Sequence, residues 1–387
     1  MTFHERVRFP RGFRCASRNC GLKPQGRDLS LFVSDVEAAA AAVFTRNRFP
    51  GAPVVLGRQT IRAGMLRANA VNSKVSNVAT GAAGIEHARR MAAAAAAAVG
   101  TRPERVLVCS TGVIGVPLPI AKIEAGLAAM SELTEDPLVG AEGIMTTDSH
   151  PKAISLSAGA ATITLVGKGA GMIEPNLATM LVFIFTDAAF TAPELDTMLR
   201  AAVHVSFNML SIDTDTSTSD TVALLANGQA GPVGRDVFEP ALAAGCVRMA
   251  ELIARDGEGA TRLLRVHVRG AASEADARAV AKSLVNSPLI KTMVHGADPN
   301  VGRVLMAIGK CFDARIEPDA TRASIGGMAV VERGERVSFD EARVRHILGC
   351  DPVDLEVDLG VGTSAATAFG CDLTEGYIRE NAAYYSS

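Results

Sequence analysis

Between Gly167 and Leu181 the chain reads Gly-Lys-Gly-Ala-Gly-Met-Ile-Glu-Pro-Asn-Leu-Ala-Thr-Met-Leu, and this stretch restricts the fold more than any other. Glycines at 167, 169 and 171 permit unusual backbone angles and close backbone approach. Pro175 then fixes the chain just before Asn176. The segment Thr179–Phe185 is apolar and rich in β-branched residues, which predicts a buried strand. A special turn thus delivers Thr179 to the start of an interior strand. A threonine hydroxyl that faces the preceding carbonyl can attack it, giving an ester that water hydrolyses. The new chain then begins at Thr179, and its free α-amine, with a pKa of roughly 7.7–8, serves as base for its own hydroxyl. A strand-entry threonine and a tight glycine turn are also ordinary structural features, so the residues alone leave both readings open. A phosphate loop is excluded, because GxGxxG and GxxxxGK[ST] are both absent.

Elsewhere helix and strand signals alternate, which predicts an α/β protein. Arg89–Val99 reads as an alanine-rich helix that stops at Gly100. Thr191–His204, Val237–Arg255 and Glu274–Val285 read as further helices, the first with Pro193 in its first turn. Arg105–Cys109, Leu263–Val268, Leu355–Leu359 and a piece near Arg336–Phe339 read as strands. The alanine runs are taken as helix formers. Shorter elements from Ser287 onward predict a smaller domain over 287–387, after a larger one over 1–286.

Composition narrows the function classes. A formal charge of −2 gives no electrostatic reason to bind nucleic acid. Without tryptophan and with three tyrosines, the chain is poorly equipped for an aromatic-anchored protein interface. No apolar run approaches the roughly twenty residues of a membrane span, and the N-terminus lacks an apolar signal core. Seven cysteines without a CxxC pair read as free thiols of a cytoplasmic protein. The histidines show no HExxH. Asp213-x-Asp215-x-Ser217 opens like a calcium loop, but Thr218 and Leu224 stand where glycine and glutamate are needed. The segment is therefore read as structural hydrogen bonding, and neither metal nor cofactor is expected.

Several further motifs follow one another in order. They are Ser110-Thr111-Gly112-Val113-Ile114-Gly115, then Met145-Thr146-Thr147-Asp148 with Pro151-Lys152, then Asp213-x-Asp215-Thr216-Ser217-Thr218-x-Asp220. Asp256-Gly257-Glu258-Gly259-Ala260, Ser287–Thr292, Gly296–Asn300 and Asn381–Ser387 complete the series. Together with the glycine-rich stretch, they resemble the ornithine acetyltransferase (glutamate N-acetyltransferase) family over nearly the whole chain. The resemblance implies a two-domain layered α/β sandwich, self-cleaved between Ala178 and Thr179 into interleaved fragments 1–178 and 179–387. It further implies a cytoplasmic homo-oligomer of cleaved pairs, a heterotetramer in composition. The implied reaction is ping-pong transfer of acetyl from N2-acetylornithine to glutamate through an acyl-threonine at Thr179. Thr111 and Gly112 would form the oxyanion hole, while Thr146, Lys168, Thr179, Glu258, Asn381 and Ser386 would contact substrate.

The chain also departs from the family pattern. NSGNANACTG becomes Asn72-Ser73-Lys74-Val75-Ser76-Asn77-Val78-Ala79-Thr80-Gly81, and DPNWG becomes Asp298-Pro299-Asn300-Val301-Gly302. Tyr384 and Tyr385 add one residue before the terminal serines, which leaves Ser386 against Ser387 open. Spellings such as Ser211-Ile212-Asp213-Thr214-Asp215 resemble paralogues of secondary metabolism. Three alternatives stay open: a paralogue with another acceptor, an amidohydrolase or aminopeptidase using the same threonine, and a relic without catalysis.

Overall fold

The computed structural model describes residues 1–174 and 180–382. Ala178, Thr179 and Ser386 lie outside the described residues. These form two compact units, the first from 1–169, 180–208 and 216–249, the second from 170–174, 209–215 and 250–382. The expected division at 286/287 falls inside the second unit, between helices Glu274–Asn286 and Pro288–His295.

The strands of the first unit are β1 (Thr2–Phe3), β2 (Phe13–Arg18), β3 (Leu29–Phe44), β4 (Met65–Asn72), β5 (Val106–Ser110), β6 (Lys152–Ala158), β7 (Ala161–Lys168), β8 (Leu181–Ala189) and β9 (Thr221–Pro232). Among the described residues they make one sheet in the order β1-β6-β7-β8-β9-β3-β4-β5, with β2 paired to β3. The strand expected from Thr179 appears as β8. All of its residues but Ala189 are buried, as a near-continuous apolar run between antiparallel β7 and parallel β9 requires.

The alanine run Ala38–Ala42 is a correction: it belongs to β3, not to a helix. It lies between β9 and the start of β4, where small side chains fit a strand flanked on both edges, and this pairing overrides helix propensity. The other run does form a helix, Gly81–Val99, closed by left-handed Gly100. This helix packs with Ile120–Ala128 over β3, β4 and β5 in one core containing Met91, Ile123 and Val108. A second core gathers Phe13, Phe32, Phe183 and Phe185 with Leu66, Leu107 and Leu225. The helix expected at Thr191 spans Ala192–Val205, and Thr191 and Glu194 form a capping box at its start.

The second unit contains β10 (Leu263–Ala271), β11 (Arg322–Ile325), β12 (Met328–Glu332), β13 (Glu335–Arg336), β14 (Val353–Asp358) and β15 (Ser364–Cys371), ordered β13-β12-β11-β14-β10-β15. The strand expected near Arg336–Phe339 shrinks to Glu335–Arg336, because Asp340 already caps the helix Glu341–Leu348. Strand β14 shows period-two patterning: Val353, Leu355 and Val357 are buried, while Asp354 faces the other way and pairs with Arg265 across the register at 2.7 Å. Helix Glu274–Asn286 covers β10 and β15. Among the described residues no helix is long and apolar enough to cross a membrane.

Candidate active site

In the first unit, parallel β4 and β5 end side by side, with Asn72 opposite Ser110. Asn72 is fully buried and ties the two loops that follow. Its amide group donates to the Val75 carbonyl at 2.8 Å, its side-chain oxygen accepts from the Ser110 hydroxyl at 2.6 Å, and its carbonyl accepts the Thr111 amide at 3.0 Å. The loops then zip together: Val113 N–H donates to Lys74 O at 2.9 Å and Ser76 N–H to Val113 O at 3.0 Å.

Gly112 is compelled here. Its φ is +125°, and a Cβ on it would come within 2.2 Å of the Lys74 carbonyl group. Among the described residues neither the Gly112 amide nor the Thr111 hydroxyl has a hydrogen-bond partner, whereas the flanking amides of Thr111 and Val113 are both spent. A rigid turn thus offers one backbone N–H and one hydroxyl for an oxygen acceptor. Lys74, which departs from the family's glycine, adopts a left-handed φ of 76°. Asn77 and Ala79 in the same loop do likewise, at 54° and 58°.

Thr146 and Lys168, both expected as substrate contacts, come together within the first unit. The Lys168 ammonium is 3.4 Å from the Thr146 hydroxyl. Asp148, which the sequence reading had only as part of a motif, organises both. One carboxylate oxygen accepts the Lys152 ammonium at 2.7 Å and the Gly169 amide at 2.7 Å, and the other accepts the Thr146 amide at 2.9 Å. The side chains of Asp148 and Lys152 are wholly inaccessible. Burial pushes the Asp148 carboxyl up, but the cations of Lys152 and Lys168 outweigh it and hold the group below its ordinary value. Lys23, unmarked by any motif, donates to the Met145 carbonyl at 2.7 Å; burial lowers its pKa, with Asp28 and Asp148 opposing.

In the second unit Glu258 and Asn381 meet: the Asn381 amide group donates to the Glu258 carboxylate at 2.7 Å. Glycine makes this packing possible. A Cβ on Gly171 would lie 2.3 Å from that carboxylate, and one on Gly259 would strike the Gly376 backbone at 2.5 Å. Asp213, read as a hydrogen-bonding residue, accepts the amides of Met172 at 2.5 Å and Ile173 at 2.7 Å.

The ArgJ family model matches residues 14–386 of the chain. An arginine biosynthesis bifunctional protein ArgJ of Rhodococcoides fascians is 46% identical over 97% of this chain and 94% of its own length. The glutamate N-acetyltransferase Oat2 of Streptomyces clavuligerus is 43% identical over 97% of this chain and 98% of its own. Among solved structures, the arginine biosynthesis bifunctional protein argJ of Bacillus halodurans is 39% identical with a TM-score of 0.52. That match covers 53% of this chain and 100% of the solved one.

Proposed function

The chain belongs to the ArgJ family, and from that premise we propose that it is a self-processing acyltransferase that moves acetyl from N2-acetylornithine to glutamate. The observation that carries the reading is the turn after β5, held by the Lys74 backbone, whose Gly112 amide and Thr111 hydroxyl no described residue engages. Cleavage of the Ala178–Thr179 bond leaves fragments of 178 and 209 residues (387 − 178). The solved relative supports this cut, since its whole chain corresponds to 53% of this one, close to the share of the longer fragment.

The freed α-amine of Thr179 takes the proton from its hydroxyl as Oγ attacks the acetyl carbonyl of the donor. The developing oxyanion accepts hydrogen bonds from Gly112 and Thr111, each such donor being worth about 3–4 kcal/mol. Collapse returns the proton to the departing ornithine amine and leaves acetyl on Oγ. The glutamate amine then attacks the ester through the same oxyanion and frees Thr179. Lys168 and Thr146, set by Asp148, suit a substrate α-carboxylate, and Glu258 and Asn381 are the further substrate contacts that the family resemblance implies. Leu181, two residues after Thr179, stands opposite Lys168 in the β7–β8 register, which suits a nucleophile beside that carboxylate site. We place the enzyme in the cytoplasm as a homo-oligomer of cleaved pairs; its seven cysteines are free thiols, as a reducing compartment favours.

Intact-mass analysis with acetylornithine, with and without glutamate, tests the reading. The expected results are two fragments, an acetyl adduct on the 209-residue fragment, and acetylglutamate once glutamate is added. Acetate in place of acetylglutamate would mean a hydrolase. A whole chain with no adduct would mean no catalysis at all.

A further inference from the structure

The residues that lead into the proposed cut are fastened to the second unit at almost every position. The Ala170 carbonyl accepts the Glu258 amide at 2.8 Å. The consecutive amides of Met172 and Ile173 are taken by the two oxygens of one carboxylate, Asp213, at 2.5 and 2.7 Å. Ile173 is fully buried, and its carbonyl accepts the Ile212 amide at 2.8 Å. The Glu174 carboxylate then forms an ion pair with Lys282 at 2.8 Å, and the same ammonium donates to the Leu210 carbonyl at 2.8 Å. Both side chains of that pair are mostly covered, at 17% and 22% exposure, so solvent screens the pair less than it would on the surface. Met172 is held at φ 54°, a conformation unfavourable for methionine without outside fastening.

This fastening covers the described residues that precede Pro175. Attack of a hydroxyl on the adjacent carbonyl demands a near-attack arrangement, and a misplacement of about 1 Å can cost about a hundredfold in rate. We infer that Asp213 and Lys282 are positioning residues for the self-cleavage, setting the register of the chain that enters the Ala178–Thr179 bond. Asp213 acts through the paired amides of Met172 and Ile173, and Lys282 acts through Glu174. The inference rests on the self-processing reading above.

The test follows pulse-labelled full-length chain in cell-free synthesis, reading the half-time for conversion to the 178- and 209-residue fragments. Asparagine at 213 offers one acceptor where two amides need partners, so Asp213→Asn should lengthen the half-time by about a hundredfold. Lys282→Met should lengthen it about tenfold, and Lys282→Arg, which keeps the cation, should return it to within about threefold of the parent. Thermal melting of each purified variant accompanies the series. Should Asp213→Asn fail to fold, the Lys282 pair decides, because rescue by arginine and not by methionine is foreign to a merely space-filling role. Parent-like rates in Asp213→Asn and Lys282→Met, with the parent chain splitting, overturn the assignment alone. A parent chain that stays whole, or a Thr179→Ala chain that splits, overturns the self-processing reading and the assignment with it.

Discussion

Two aspartates gather backbone amides in this protein, and they do so in opposite electrostatic settings. Asp148 is sealed in the first unit, shares its charge with the equally sealed Lys152, and holds the amides of Thr146 and Gly169. Asp213 is partly buried in the second unit and holds the amides of Met172 and Ile173; among the described residues no cation pairs with it. A dry carboxylate requires a counter-charge, so Asp148 is bound to the integrity of the fold. A partly exposed one is satisfied by amides and the Tyr377 hydroxyl, so altering Asp213 should cost less stability than altering Asp148. The first device has merged geometry with stability, and the second has kept them apart.

The largest expected effect breaks the sealed device. Asp148→Ala strands the Lys152 ammonium and should cost about 3–5 kcal/mol, read by denaturant unfolding. Replacing both partners, as Asp148→Asn with Lys152→Met, removes the stranded charge and should be markedly less damaging than Asp148→Ala. A double variant as unstable as the single would show that the pair is not what burial of charge makes it. Asp213→Asn, measured alongside, should cost only about 1 kcal/mol.

Next in size is Gly112→Ala. The added methyl must displace the Lys74 carbonyl at a φ of +125°, so acetyl transfer should fall by about a hundredfold or more while unfolding changes far less. A variant with full activity would remove Gly112 from the oxyanion turn.

Acid sharpens the comparison further. The pKa of Asp148 in the fold lies below its unfolded value, so the stability it contributes is complete above about pH 4 and disappears as pH falls through the lowered folded-state value. Unfolding free energy of the parent should therefore drop below about pH 4, with a flatter slope in the Asp148→Asn, Lys152→Met double variant. The smallest effect is expected at Lys74→Gly. It relieves a left-handed lysine and should stabilise by about 1 kcal/mol or less, since the extra freedom of glycine in the unfolded chain offsets part of the gain.

How much of this was legible depends on which residues signal locally. The helix start at Thr191 and the strand from 181 were readable because capping chemistry and apolar patterning act over a few residues. Ordered motifs marked Lys168 and Thr146 as candidates one by one, and only the fold brings them to 3.4 Å of each other. The strand at Ala38–Ala42 was not readable, because only its neighbours β9 and β4 make an alanine run extended. Nor was the Asp148–Lys152 pair. Its four-residue spacing suggests a helix face, yet the two residues sit in a loop and at a strand start, and their burial comes from the surrounding fold. The Asp213 clamp joins positions forty residues apart, a separation that no local pattern reports.

The strand order of the first unit bears on how such a molecule could be taken apart. Strands β8 and β9 lie between β7 and β3, so a chain cut before β8 leaves its second piece wedged inside the sheet of its first. Pulling the pieces apart breaks the ladder Ile163–Lys168 against Leu181–Thr186 and the ladder Ala39–Phe44 against Thr221–Ala226 together. In the proposed self-processing reading, cleavage would change the molecularity of the folding reaction. The uncut chain would refold from denaturant at a rate independent of concentration, whereas a cut pair would have to meet again in solution and refold as a second-order process. Activation by such a cut would be a ratchet: a cleaved enzyme would persist by the slowness of its dissociation, and dilution after denaturation would prevent its return.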